Sequence, residues 1–367
     1  MPNLRSLRFL SSAIVAAALL CGLLAAPAIV AAQKPYRIVD SWKLGTDGWW
    51  DYLLADPPAH RLYLTRGMRV DVLDTQTGKL VGSIAGLHGT HGVALDDGGK
   101  FGYISDGGGN AVVVFDRATL ATVATIPAGT NPDAIVFEPA TRTVWAFNGR
   151  SSDATVIDVA TRKVVATIAL PGKPEFAAVD GKGMVFDNIE DKNELVRLDA
   201  KKLKLTAEWP LTGCEGPSGL AMDTAGGRLF SVCHNKAMAV TDSKTGKVLA
   251  APAIGDGPDA AGWDAAHKLA FSSNGGGGGW GNSGGNAATG TLTVIDASAP
   301  DRPVPGYRVM EELPTQRGAR TMAYDSAADR IYLVTAEFGP RPEPTADNPR
   351  PRPAIVPGSF TVLVVGR

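Results

Sequence analysis

Cysteine is scarce in this chain. Three occur in 367 residues, at Cys21, Cys214 and Cys233. None stands in a C-x-x-C-H run, which excludes haem attachment through that motif. Ser218 lies in GPSGL, which is not the G-x-S-x-G nucleophile turn of hydrolases. The glycine-rich run from Asn274, NGGGGGWGNSGGN, holds no lysine and is not a phosphate loop. Charge of one sign is lacking too. Thirty-six basic residues meet thirty-seven acidic ones, for a formal charge of −1. There is no basic run, which argues against nucleic acid as a partner. A 3.6-residue apolar rhythm is absent as well, so a helical solenoid is excluded.

What the chain does have is a repeat. Its cleanest copy covers residues 131–172, with four apolar runs at Asp133–Phe137, Thr143–Phe147, Ala154–Val159 and Lys163–Leu170. Each is rich in Val, Ile and Thr or carries an aromatic, and turn residues separate them. Such runs read as antiparallel strands joined by tight turns. One sheet of this size cannot bury its own faces, so it needs neighbours of its kind.

Two markers carry the repeat along the chain. An acid closes the third strand at Asp74, Asp116, Asp158, Asp199, Asp242 and Asp296. A second acid follows each first strand, at Asp56, Asp96, Glu138, Asp180, Asp223, Asp264 and Asp325. The second set is expected to form turns. A period near forty with four strands per copy predicts an all-β fold, a seven-bladed β-propeller of four-stranded antiparallel blades.

Residues 1–32 read differently. Arg5 and Arg8 precede an uncharged apolar run, and small residues follow. This pattern is that of a secretory signal peptide cleaved near Ala32 or Ala28. Leucines precede Cys21, which is unlike a lipid-attachment site, and no twin-arginine pair occurs. The expected mature chain is a periplasmic monomer with no membrane span, and carries thirty-four basic against thirty-seven acidic side chains. In an oxidising compartment the remaining pair, Cys214 and Cys233, is expected to form a disulfide. Both fall at the same end of one predicted hairpin.

The mature part, residues 33–367, divides into blades at 49–86, 87–129, 130–172, 173–213, 214–257, 258–316 and 317–367. The last lacks an outer strand, and residues 36–46 form an orphan strand. Pairing the two closes the ring and removes an open edge. Insertions interrupt blades six and seven at 274–286 and 336–358; each reads either as a tolerated surface insertion or as a lid over the face described next.

Aligning the first strands brings seven polar leading residues into register: Asp51, His91, Asp133, Glu175, Ser218, Asp259 and Arg320. They are expected to ring one mouth of the central channel. Four carboxylates around a narrow mouth repel unless a cation joins them. The loops after the second strands add Asp106, Asn148, Asn188, Asn235 and Asn274 to that face. Oxygen ligands of this kind suit a hard divalent cation such as calcium, with Asp133, Glu175 and Asp259 as its candidate holders. His88 and His91 show no third zinc ligand.

Several stretches carry a family resemblance, among them RIYLVT, TVIDVATRKVVATI, PDAIVFEPATRTVWAFNG and NPRPRPAIVPGSFTVLVVGR. They resemble the YVTN-type repeats of exported, YncE-like seven-bladed propellers. The resemblance covers essentially the whole mature chain. It implies a periplasmic or surface protein, and the polar ring with the two insertions on its face adds the expectation of a non-enzymatic scaffold that binds a small ligand or partner at its channel mouth. Two other activities follow from it by analogy. One is a metal-dependent hydrolase or lactonase with an axial divalent ion and Glu175 as general base. The other is binding of single-stranded nucleic acid, which the acidic balance of the chain opposes.

Overall fold

The computed structural model describes residues 34–45, 48–276, 289–298, 306–345, 348 and 351–367. The expected signal peptide, and the 274–286 insertion beyond Gly276, lie outside the described residues. Pro35–Arg367 forms one compact unit.

The repeat at 131–172 folds as its punctuation dictates. Its strands are Pro132–Glu138, Thr143–Asn148, Asp153–Asp158 and Lys163–Ala169. They pair antiparallel in chain order. The Glu138 carboxylate accepts hydrogen bonds from the Ala140 and Thr141 amides, at 3.2 and 2.7 Å. Arg142 then turns the chain at φ 54°. At the next hairpin Asp158 accepts from the Thr161 amide at 2.8 Å. The acid thus satisfies amides that the turn leaves unpaired.

The same device recurs. Asp180, Asp223, Asp264 and Asp325 each accept from amides two to four residues on. So do Asp74, Asp116, Asp199, Asp242 and Asp296. Asp56 departs from the pattern and pairs with Arg117 across to the next repeat. Asp96 departs too, with a buried Oδ1 that meets no partner.

Among the described residues the strands form five four-stranded sheets and one of seven strands. The seven-stranded sheet contains a 16-residue strand, Leu80–Leu95. Its first half pairs with Gly67–Asp74 and its second with Phe101–Asp106. The segments that begin each repeat touch one another in sequence. Leu53–Asp56 meets Leu80–Leu95, and contact passes through Pro132–Glu138, Pro174–Val179, Pro217–Asp223, Pro258–Asp264 and Met322–Asp325 back to Leu53–Asp56. The fold is an all-β propeller, with these strands innermost.

The core lies between neighbouring sheets. The third residue of every second strand is a buried aromatic: Tyr63, Tyr103, Trp145, Phe186, Phe230, Phe271 and Tyr332, none more than 2% exposed. Burying one ring contributes about 2–3 kcal/mol. Each fills the gap to the adjoining sheet.

The two ends of the compact unit meet. Arg37–Lys43 lies antiparallel against Thr361–Gly366 as the outer strand of the last sheet. The Leu44 amide continues the ladder to the Phe360 carbonyl at 2.9 Å. Trp42 packs on Tyr332 at 5.5 Å, and Arg367 lies over the Tyr36 ring at 4.8 Å. The Cys214–Cys233 disulfide is formed and buried, with Cα atoms 5.3 Å apart.

Removing residues 34–44 strips the outer strand from Thr361–Gly366 and leaves its amides unpaired. The truncated chain is expected to melt at least 10 °C lower or to aggregate, since an apolar edge is then exposed (roughly several kcal/mol). Size-exclusion chromatography with a thermal melt checks this; a monomer of unchanged melting temperature would refute it.

Candidate binding site at the channel mouth

The seven leading residues converge, and backbone irregularity is the reason. Thr90 pairs with Asp106 while Val93 pairs with Ile104, so His91 and Gly92 together oppose one residue. The same two-against-one step follows Pro132, Pro174 and Pro217. Each is a β-bulge, which kinks the strand and re-aims a side chain. The first extra residue is His91, Asp133, Glu175 or Ser218. A register shift after Pro258 does the same for Asp259. Proline suits the first position because its missing N–H leaves no ladder bond unmade there. Asp51 and Arg320 lie just ahead of the regular pairing of their strands.

Six of the seven, all but Ser218, line a cavity of about 600 Å³. Their partners run around the ring. The His91 Nδ1 faces Asp51 Oδ2 at 2.7 Å and Asp133 Oδ1 at 3.5 Å. Arg320 donates to Asp51 Oδ1 at 3.3 Å and pairs with Asp259 on its other side. Ser218 is 1% exposed, and its hydroxyl donates to Asp259 Oδ1 at 2.8 Å. Below the ring Tyr52 and Phe176 pack at 4.4 Å. Phe176 touches three separate core clusters, which places it near the axis and closes the channel there.

The mouth also holds side chains that strand alignment alone did not mark. Lys173 donates to Glu175 at 2.8 Å and pairs with Glu190. His234, next to the disulfide, lies 3.9 Å from Glu190. Trp49, Arg150 and Arg352 complete the walls. Arg352 comes from the 336–358 insertion, which folds back through a Phe338–Ile355 bridge. Phe338 packs on Trp50 at 6.1 Å. The signal for Lys173 is its place two residues before Glu175, outside the strand template.

The loop residues are placed away from the cavity. Asn148 and Asn274 are fully buried, and their amides donate within their own sheets to Thr155 and to Thr291 and Thr293. Asn188 donates to the Ser218 carbonyl at 2.7 Å and accepts from Ser231 at 2.8 Å. It therefore braces the bulge that carries Ser218. Asn235 bonds the backbone of Gly213 and Glu215. Asp106 holds the backbone amide and ring of His88, which separates His88 from His91. These five side chains pair with neighbouring backbone and side-chain groups and not with the cavity, because buried polar groups must be satisfied. The grouping of Asp133, Glu175 and Asp259 as metal holders is likewise not what the geometry brings together. Glu175 takes Lys173 and Asp259 takes Arg320, while Asp133 meets His91 and, through it, Asp51.

Burial sets the protonation of this ring. It opposes a charged His91, but Asp133 and Asp51 outweigh it and raise the imidazole to about 9. Burial also works against a charged Asp51, yet Arg320 and His91 hold it below the ordinary carboxylate range. Asp133 is pushed up to about 6 by burial, with His91 pulling the other way. Glu175 is pushed up to about 8 by burial and by Asp133, despite Lys173. Asp187 is fully buried, and burial together with Glu175 raises it well above its usual range. Neither of its oxygens has a hydrogen-bond partner of full geometry. It pairs across from Ala177, a position where other second strands carry Leu64, Ile104, Ala146, Ser231, Ser272 or Leu333.

No protein-family description matches this chain, and no curated protein matches it. Solved structures do resemble it in fold. Hydrazine synthase of Kuenenia stuttgartiensis aligns at TM-score 0.65 and 16% identity, over 77% of this chain and 91% of that one. The U3-55K structure aligns at 0.69 and 8% identity, over 89% and 98%. The WD40 repeats of RRP9 align at 0.68 and 9% identity, over 90% and 97%. At these identities the likeness is one of fold, a repeat-built propeller.

A carboxyl with a higher pKa in the folded chain than in the unfolded chain binds more protons when folded. Stability then falls as pH rises from the ordinary carboxylate range through about 8, the Glu175 value. Glu175→Gln removes this loss, and Lys173 keeps Glu190. The variant is expected to exceed the parent by about 1 kcal/mol or more at about pH 9, and to match it near pH 4. Denaturant melts at the two pH values test it; a less stable variant at the higher pH would sink the assignment.

Proposed function

We propose that the chain is an exported, seven-bladed, YncE-like propeller that holds a small ligand or partner group carrying both charges at its channel mouth. The blade count rests on the cycle of seven innermost segments and on the seven equivalent buried aromatics. The seven-stranded sheet then reads as two four-stranded blades that share Leu80–Leu95. The strand Arg37–Lys43 completes the seventh blade and seals the ring. The apolar leader, and a cysteine pair suited to an oxidising compartment, support export to the periplasm. Mass spectrometry of a periplasmic extract is expected to find a chain beginning just after Ala28 or Ala32; an intact Met1 there would contradict export by cleavage.

One observation carries the binding role. Oppositely charged side chains converge on one 600 Å³ cavity in a ring that folding alone does not require. Glu175, Asp133 and Asp187 are buried at a cost to stability, as functional sites often are. The carboxylates do not leave the mouth simply acidic, because His91, Lys173 and Arg320 stand among them. A purely cationic ligand therefore fits less well than one bearing both an ammonium and a carboxylate. Such a ligand places its cation by Asp133 and Glu175 and its anion by Lys173, Arg320 and the exposed Arg150.

A thermal-shift screen of amino acids, short peptides and other small zwitterions tests this. A ligand at about a hundredfold its Kd adds about 2–3 kcal/mol. That shift is expected to vanish in Lys173→Ala, whose side chain is 41% exposed and can be removed without opening the core. A hit that survives this change and Asp133→Asn binds elsewhere, and the proposal fails.

A further inference from the structure

The ring holds a trio of donor atoms with the spacing of a metal site. Asp51 Oδ2, His91 Nδ1 and Asp133 Oδ1 all lie within 4.8 Å of one another, with 2.7 Å and 3.5 Å on the two sides of the imidazole. Ligands bound at about 2.0–2.2 Å from one ion sit about 3–4 Å apart, so small rotations of the side chains suffice. Arg320 occupies Oδ1 of Asp51 and leaves Oδ2 to the trio. The donors face the cavity, so further coordination positions open toward a ligand.

A second trio shows what an internally neutralised cluster looks like. Asp264, His267 and Asp329 are equally close, but Arg367 inserts among them and bonds both Asp329 oxygens at 3.0–3.1 Å. At the mouth trio the guanidinium of Arg320 bonds Asp51 Oδ1 and leaves Asp133 to His91. A further observation is Asp187. It is fully buried, the Glu175 backbone amide reaches it without closing a hydrogen bond of full geometry, and Glu175 and Asp133 act on it. A buried carboxyl so poorly satisfied calls for a compensating ion or role.

We propose that Asp51, His91 and Asp133 form a binding site for one first-row divalent transition ion, with Glu175 and Asp187 as an outer shell of acids. An imidazole nitrogen among the donors selects zinc, copper, iron or nickel over calcium. This proposal differs from the expected hard oxygen-bound ion. It rests on the reading of the mouth as a ligand site and gives it chemistry: the ion offers open positions to a carboxylate of the ligand.

The purified chain, stripped with a chelator, is titrated with zinc, manganese and calcium, and bound metal is counted by mass spectrometry. One zinc per chain is expected, with manganese and calcium at least about tenfold weaker. His91→Ala and Asp133→Asn should each weaken binding at least about tenfold, and Asp187→Asn by about tenfold through the outer shell. Asp329→Asn, in the second trio, should leave it unchanged. Melting curves of each variant separate lost ligands from lost fold. The proposal is overturned by no uptake, by calcium binding more tightly, or by uptake that ignores His91 and Asp133 in variants that still fold. If a small molecule still shifts the melt in the presence of chelator while no metal binds, the mouth remains a binding site and only the metal assignment falls.

Discussion

The structure depends on one contact repeated around an axis: an aromatic ring wedged between neighbouring sheets. A four-stranded sheet has two faces and can turn neither toward water without loss. Tyr63, Tyr103, Trp145, Phe186, Phe230, Phe271 and Tyr332 occupy one register position and fill one kind of gap. Only 7% of the chain is aromatic, and seven of its twenty-five Phe, Trp and Tyr residues are used here. Because each sheet is supported from both sides, no unit is stable alone. The ends of the chain must then be tied, and Arg37–Lys43 against Thr361–Gly366 does so. Tyr36 reinforces the tie through its amide bond to Glu311 in the preceding sheet.

This arrangement frees the innermost strands from part of the packing task. Their starts can depart from regular pairing, and they do. The bulges after Thr90, Pro132, Pro174 and Pro217 waste ladder bonds but turn polar side chains into the mouth. The lost bonds are recovered locally. Ser105 donates to the Asp133 carbonyl, Ser273 to the Arg320 carbonyl at 2.5 Å, and Asn188 to that of Ser218. The hydrophilic ring is thus braced by a second layer from the adjacent sheet, so its geometry is set by the scaffold and not by flexible loops.

That division explains what the sequence disclosed. The period, the turn acids and the seven leading residues are local or periodic, and strand alternation exposes them. Cys214 and Cys233 were legible because a hairpin brings them to one end. The second layer was not legible. Asn148, Asn188 and Asn274 stand at or near the ends of second strands, yet Asn188 answers to the Ser218 carbonyl released by a bulge and the other two to threonine hydroxyls of their own sheets, and bulges leave little trace beyond a proline. Lys173 and Glu190 join the ring through loops whose direction depends on neighbouring sheets. Asp187 is the hardest case. Its neighbours in sequence, Phe186 and Asn188, read as ordinary strand, and nothing local marks the position as core. Only comparison with Leu64, Ile104, Ala146, Ser231, Ser272 and Leu333 at the same register reveals that a place of uncharged side chains holds an acid.

The acid at that place bears on how the mouth works. Asp133, Glu175 and Asp187 crowd one side, while Arg320 and Lys173 are committed to Asp51, Asp259, Glu175 and Glu190. The crowded side can lower its energy in only a few ways. It can hold protons, and the raised Asp133 and Glu175 show that it does so in part. It can separate its charges, but the braced bulges resist that. Or it can accept a cation, whether an ammonium or a metal ion, in exchange for those protons. Under the proposed binding role, a rigid ring with excess acid on one side and cations on the other would bind by charge exchange and not by reshaping, with affinity coupled to proton release.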